Sequence, residues 1–266
     1  MHVRKRFGQH FLHDPAVIAR IVAAIGLRPG DAAVEIGPGH GALTSRLLAA
    51  AGQLDAIEID RDLAASLRAR FASEARWRLH ETDALEFDWR GLAAARGARL
   101  RVVGNLPYNI STPLLFRLLA ASDVISDMHF MLQKEVVDRI VAAPGSHAYG
   151  RLTVMLAPRV AATRVLDVGA GAFRPAPRVS SALVRLQVID EPPAWSRSAS
   201  YGEVVTAAFG QRRKTLRNAL GRHLSAAQIE SVGINPGARA ETLAPAQFGA
   251  LARAADATRA AAAAIR

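Results

Sequence analysis

From residue 32 to residue 143, short apolar runs of strand length alternate with longer runs whose apolar positions recur at helical spacing. "AAVEIG" (32–37), "LDAIEID" (54–60), "WRLHETDAL" (77–85), "LRVVGN" (100–105) and "DMHFMLQ" (127–133) have strand character. "ALTSRLLAAA" (42–51), "RDLAASLRARFA" (61–72), "TPLLFRLLAA" (112–121) and "EVVDRIVAA" (135–143) are helix-like. Repeated strand–helix alternation implies parallel strands joined by crossover helices, so an open α/β sheet is predicted. "RVLDVG" (164–169) and "SALVRLQVI" (181–189) come close together and suit an antiparallel edge pair. At "DEPPAWSRS" (190–198) two prolines and a polar stretch end the pattern, and the chain beyond 200 reads as helix. The expected division is therefore residues 1–190 for the sheet domain and 191–266 for a small all-helical domain.

Composition narrows the chemistry. Half of the 266 residues are hydrophobic, enough for a sizeable core. No run of 18 uncharged apolar residues occurs, and no apolar stretch follows the basic start "MHVRKRFGQHFLHD", so a cytoplasmic protein without membrane association is expected. The absence of cysteine excludes disulfides, zinc–thiolate sites and a thiolate nucleophile, and with the last goes methylation of pyrimidine C5 through a cysteine adduct. No metal is expected. The net charge of +11 favours a polyanionic partner, although nearly all of it is arginine in an alanine-rich chain, a bias that coding composition also produces.

"VEIGPGHGALT" (34–44) places Gly37, Gly39 and Gly41 after a strand and before a helix, where glycine lets the backbone approach a ligand closely. Glu58 follows 21 residues after Gly37, at the end of the second strand, where a carboxylate can accept both hydroxyls of a ribose. Gly-x-Gly-x-x-Ala also serves dinucleotides, so the glycines alone leave a nicotinamide cofactor open. Two acids favour S-adenosyl-L-methionine. Glu35 gives the turn the E-x-G-x-G-x-G form of methyltransferases, and Asp83, in "TDAL", is placed for an adenine amino group. The bland alternatives are solvated strand-end charges for Glu58 and a helix cap for Asp83.

"VVGNLPYNIS" (102–111) ends the fourth strand in Asn105, Leu106, Pro107 and Tyr108. Residues at strand ends face the ligand crevice of an open α/β sheet. An exocyclic adenine amino group is a weak nucleophile because its lone pair is delocalised into the ring. The Asn105 side-chain oxygen and a carbonyl of Leu106 or Pro107 can bind its two N–H hydrogens and concentrate that lone pair toward a methyl donor. Pro107 stiffens the carbonyl's aim, and Tyr108 offers a stacking face. Such catalysis needs orientation and acceptors and no thiol or imidazole base.

With these residues in place, the chain resembles the ribosomal RNA adenine N6,N6-dimethyltransferases, in particular the bacterial enzymes acting on small-subunit rRNA. The likeness runs through "RKRFGQHFL", "EIGPGHGALT", "IEID", "TDAL", "GNLPYNIS", "MLQKEV", "AYGRLTVM", "FRPAPRVSSALVRL" and "QRRKTLRNAL". It implies a Rossmann-like class I methyltransferase sheet and cofactor contacts at His10, Leu12, Gly37, Gly39, Glu58, Asp83 and Asn105. It implies dimethylation of two adjacent adenines in the 3′-terminal hairpin of 16S rRNA, during small-subunit biogenesis. Phe173 is implied to close over the base opposite Tyr108. Family members often carry Asn where this chain has His10, which points to a main-chain contact there.

"FGQRRKTLRNAL" (209–220) gathers Arg212, Arg213, Lys214 and Arg217 at the expected start of a helix, with Arg213 and Arg217 four apart on one face. Taken singly, each reads as a solvated arginine; the resemblance assigns the cluster to RNA phosphates. Arg174 and Arg178 flank the implied base site, and Arg4, Lys5 and Arg6 add charge near the N-terminus. A monomer acting on the small ribosomal subunit is expected. The competing readings are a large-subunit rRNA dimethyltransferase conferring antibiotic resistance, a ribosome-assembly factor acting by binding, and a nicotinamide-dependent oxidoreductase.

Overall fold

The computed structural model describes residues 10–107, 110–211 and 213–264. After a short strand β1 (Phe11–Leu12), Asp14 opens helix α1 (Pro15–Ile25). Its carboxylate accepts the N–H groups of Ala16 at 2.8 Å and Val17 at 3.1 Å, and Pro15 sits where no N–H is needed. There follow β2 (Ala32–Ile36), α2 (Thr44–Ala51), β3 (Leu54–Glu58), α3 (Arg61–Arg70), β4 (Trp77–Glu81), α4 (Trp89–Arg96), β5 (Leu100–Asn105), α5 (Ser111–Leu119) and β6 (Ile125–Gln133). Next come α6 (Lys134–Ile140), α7 (Arg151–Leu156), β7 (Val160–Val168), β8 (Phe173–Arg174) and β9 (Ser181–Val188). The chain ends in α8 (Tyr201–Phe209), α9 (Leu216–Ala219), α10 (Ala226–Ser231) and α11 (Pro245–Ala264). Among the described residues no helix is long and apolar enough to cross a membrane.

Seven strands stand in the order β4-β3-β2-β5-β6-β9-β7. β4, β3, β2, β5 and β6 run parallel, and β9 runs antiparallel to β6. β3 is buried along its whole length, as a central parallel strand covered on both faces must be. The chain steps outward from β2 to β3 and β4, then returns to lay β5 on the other side of β2. That reversal opens a crevice beyond the carboxyl ends of β2 and β5. Ile36 is in register with Gly104, so Gly37 and Asn105 leave the sheet at the same level. A Cβ on Gly104 would lie 2.9 Å from the Ile36 carbonyl oxygen, so glycine is what lets β5 close on β2 here. β1 and β8 form a separate antiparallel ribbon that pairs Phe11 with Arg174 and Leu12 with Phe173.

One core of this unit joins Ile18, Ile21 and Ile25 of α1 to Leu47 and Leu48 of α2 and to Val103, Met131 and Leu183 of the sheet. Arg101 fastens α1 to the sheet. It donates to Asp31 at 2.7 Å, to Asp127 at 2.9 Å, and to the carbonyls of Ile25 and Gly26 at 2.9 and 3.0 Å. His129, on β6, is 1% exposed. Neither of its ring nitrogens has a hydrogen-bond partner among the described residues; Asp127 is 3.9 Å away. Burial pushes the imidazole down to about 4, against the opposing pull of Asp127.

The chain divides into two compact units. One extends to Val137 and takes in Ala161–Val188; the other comprises Asp138–Val160 and Ile189 onward. A single cut at 190 therefore misses the segment 138–160, which the sequence reading left with the sheet. Its apolar residues explain the difference. Tyr149 and Val154 are buried in one cluster with Tyr201, Val204, Leu216 and Phe248. The Tyr149 hydroxyl donates to the Leu243 carbonyl at 2.7 Å, and the Tyr201 hydroxyl to that of Val154 at 2.9 Å. The helices of this second unit are thus built partly from chain that precedes β7.

Candidate active site

The crevice between β2 and β5 is a cavity of about 340 Å³. Its floor is the glycine turn after β2. Gly37, Gly39 and Gly41 adopt φ of 65°, 59° and 74°. Gly39 is constrained twice, because a Cβ there would also stand 3.0 Å from the Phe11 ring. The turn is held from the side by Glu58, whose carboxylate accepts the N–H of Gly39 at 3.2 Å and of Asp60 at 3.0 Å. Glu58 is buried, and burial raises its pKa above the ordinary carboxylate range, opposed by those two amides.

Glu35 lies beneath the turn, 2% exposed, and accepts the Thr44 hydroxyl at 2.7 Å. Burial pushes its carboxyl up to about 7; the Thr44 bond works against that rise and the charge of Glu58 adds to it. Asp83 follows β4 and accepts the N–H of Leu85 at 2.9 Å. Glu35, Glu58 and Asp83 all line the cavity, together with His10 and His40. No lysine or arginine lines it among the described residues.

Asn105 closes the opposite wall. Its Nδ2 donates to the main-chain carbonyl of His10 at 2.9 Å, which leaves Oδ1 as the acceptor end of the amide. The Pro107 carbonyl accepts the N–H of Ile110 at 3.3 Å, and the Leu106 N–H donates to Met131 at 3.2 Å. The β1 strand lies alongside as a strap. His13 N–H donates to the Ala172 carbonyl at 2.9 Å, and His10 Nδ1 is 2.8 Å from that of Pro175.

Of the residues singled out from sequence, His10, Leu12, Gly37, Gly39, Glu58, Asp83, Asn105, Leu106 and Pro107 line this one cavity. Tyr108 lies outside the described residues. Phe173 departs from expectation: it is 2% exposed, packs with Leu12, Ile18 and Leu183, and does not line the cavity. Its backbone pairs with Leu12 on β1, and that pairing turns the ring into the core. Arg174 and Arg178 are exposed on the β8–β9 segment.

Sequence reasoning missed Phe11, His40, Ile59 and Ala84, which also line the cavity. Ile59 carried a legible signal. It is an apolar residue between Glu58 and Asp60, at a strand end, and it remains 48% exposed.

In the second unit Arg213, Lys214 and Arg217 are exposed, and Arg212 lies outside the described residues. The expected shared helix face for Arg213 and Arg217 does not form. α9 spans only Leu216–Ala219, and Thr215 before it is extended at φ −72° and ψ 162°, so Arg213 sits in the preceding turn.

A family model described as ribosomal RNA adenine dimethylase matches residues 1–256. Ribosomal RNA small subunit methyltransferase A of Methylococcus capsulatus is 57% identical over 250 residues, covering 94% of this chain and 96% of that protein. The protein of the same name from Pseudomonas aeruginosa is 52% identical over 246 residues, covering 92% and 91%. Among solved structures, the 23S rRNA methyltransferase ErmE superposes with a TM-score of 0.72 at 28% identity, over 92% of this chain and 99% of that one. A dimethyladenosine transferase from Plasmodium falciparum shares the fold, with a TM-score of 0.75 at 24% identity over 91% and 96% of the two chains. Likeness of that extent takes in both compact units. The chain belongs to the ribosomal RNA adenine dimethylase family.

Proposed function

We propose that the protein transfers methyl groups from S-adenosyl-L-methionine to the N6 amino groups of two adjacent adenines in the 3′-terminal hairpin of small-subunit rRNA. The products are N6,N6-dimethyladenines, formed during biogenesis of the small subunit. The observation that carries the reading is the meeting of Asn105 with the glycine turn at one cavity. The acid-rich lining supports the choice of cofactor. Glu58 and Asp83 line a cavity that no lysine or arginine lines among the described residues, which suits a ligand that carries ammonium and sulfonium charges. The volume falls within the range of ordinary cofactor pockets, roughly 300–1,000 Å³.

S-adenosyl-L-methionine supplies an electrophilic methyl group when bound. Glu58 would hold its ribose, Asp83 would accept its adenine amino group, and Ile59 would cover the apolar face of its ring; all three line the cavity. Across the cavity, Asn105 Oδ1 accepts one N6 hydrogen of the target base. The Leu106 carbonyl is the better second acceptor, because that of Pro107 already takes the Ile110 N–H. Two acceptors would hold the amino group's lone pair toward the cofactor's methyl group; as that methyl exchanged its bond to sulfur for one to N6, the surplus N6 proton would leave to water. Tyr108 and Phe173 remain the stacking pair that the resemblance implies. For Phe173 that role requires the ring to swing out of the α1 core when the base enters. Arg174 and Arg178 in one unit, and Arg212, Arg213, Lys214 and Arg217 in the other, are assigned to RNA phosphates. The protein acts in the cytoplasm, as a monomer, on a ribosomal particle.

Incubation with methyl-labelled cofactor and separated ribosomal subunits tests this. Small subunits lacking the modification should yield labelled N6,N6-dimethyladenine, and large subunits should not. Label confined to large subunits would instead favour a large-subunit rRNA dimethyltransferase, a reading that the likeness to a 23S rRNA methyltransferase keeps in view. Binding to small subunits with no label at all would favour an assembly factor.

A further inference from the structure

We propose that His10 is a positioning residue for Asn105. Its main-chain carbonyl holds the carboxamide in the orientation that presents Oδ1 to the substrate, and its ring ties that carbonyl to the segment carrying Arg174 and Arg178. The inference rests on the reading of Asn105 as the acceptor for adenine N6. A carboxamide has two ends of nearly equal size and opposite hydrogen-bonding sense, one a double donor and the other an acceptor. Turned over, Asn105 would set N–H groups against the N–H groups of the adenine. The substrate cannot correct this before it arrives, so something in the protein must.

The 2.9 Å bond from Asn105 Nδ2 to the His10 carbonyl supplies that bias, since an inverted amide would face one oxygen with another. The two residues lie 95 positions apart, so the bond depends on where the strap is held. β8 holds it through the pairing of Phe11 with Arg174, and the Ala172 carbonyl holds it through His13 N–H. The third fastening is the His10 ring, whose Nδ1–H donates to the Pro175 carbonyl at 2.8 Å. Arg174 and Arg178 bracket Pro175 and are exposed, so the acceptor of the His10 ring lies within the segment assigned to RNA phosphates. An asparagine in place of His10 would also carry a side-chain N–H donor. It can meet the Pro175 carbonyl as the imidazole does.

The test compares wild type, H10A, H10N and N105A, with far-UV circular dichroism and cofactor titration as controls for folding. H10A should lower kcat by about tenfold while the cofactor Kd changes by less than about threefold, the size expected from losing one hydrogen-bonded fastening. H10N should recover most of that loss. Selective labelling of wild type should show a scalar coupling from Asn105 Nδ2 to the His10 carbonyl carbon, weakened in H10A. Wild-type kcat in H10A, a loss that lies wholly in cofactor affinity, or no coupling in wild type would each overturn the positioning role. Full activity in N105A would instead overturn the reading of Asn105 itself, and N105A inactive beside fully active H10A would remove only the role of His10.

Discussion

The Thr44 hydroxyl donates to Glu35 Oε2 at 2.7 Å beneath the glycine turn, and it is the side-chain partner that this buried carboxyl keeps. Held up to about 7, the group retains its proton in the folded state over a range where the unfolded chain, at 4.5, has released it. Below pH 4.5 both states are protonated and Glu35 costs nothing. Stability falls as pH rises from 4.5 to 7, and the full deficit persists above. At 1.36 kcal/mol per pKa unit the deficit is about 3 kcal/mol. E35Q keeps an acceptor for Thr44 and cannot ionise. Urea unfolding should find it more stable than wild type at pH 8, with the gap closing toward pH 4.5.

His129 titrates in the opposite sense. Its folded value of about 4 lies below the ordinary 6.5, so protonation favours the unfolded chain. The neutral ring is tolerated above pH 6.5, and stability is lost as pH falls from 6.5 to 4, by up to about 3 kcal/mol. H129M fills a similar volume without a titratable nitrogen. Unfolding measured at pH 4.5 and 7.5 should show a smaller drop in H129M than in wild type; equal drops would clear His129 of the acid limb.

Asn105 should separate binding from turnover. N105A removes the acceptor for the amino group and leaves Glu58, Asp83 and the glycine turn in place. The single-turnover methylation rate should fall by roughly 10²–10³-fold, as when an oriented polar group at the reacting centre is deleted. Calorimetry should find cofactor affinity within a few-fold of wild type. A variant that methylates at the wild-type rate would remove Asn105 from the chemistry.

The basic turn before α9 should act through charge alone. R213A and K214A should each lower the slope of log K against log salt for RNA binding by about 0.7–0.9, and cofactor affinity should not move. Unchanged salt slopes in both would move the phosphate contacts elsewhere.

Most of the order of strand and helix was legible because parallel strands read as short apolar runs between runs of helical spacing, but the helices α1 (Pro15–Ile25) and α4 (Trp89–Arg96) were not read. The strand ends were legible too, since Glu58, Asp83 and Asn105 are polar residues standing where such runs stop. What sequence concealed depends on the third dimension. Phe173 precedes a proline-rich stretch, and nothing local says that pairing with Leu12 turns its ring inward. The segment 138–160 stands before the last strands in sequence and so reads with the sheet, whereas the bonds of Tyr149 to Leu243 and of Tyr201 to Val154 assign it to the helical unit. Likewise "QRRKTLRN" reads as one helix until Thr215 adopts an extended conformation and cuts it to four residues.

The interleaving of the two units bears on how the protein can be taken apart. Because Asp138–Val160 is an internal segment ending at the first residue of β7 and Ile189 departs after β9, no one scission yields two whole pieces. A fragment ended at 190 would carry Tyr149 and Val154 with nothing to cover them and would be prone to aggregate. Grafting the sheet unit onto another partner means excising an internal stretch as well as the tail, with a linker joining Val137 to Ala161.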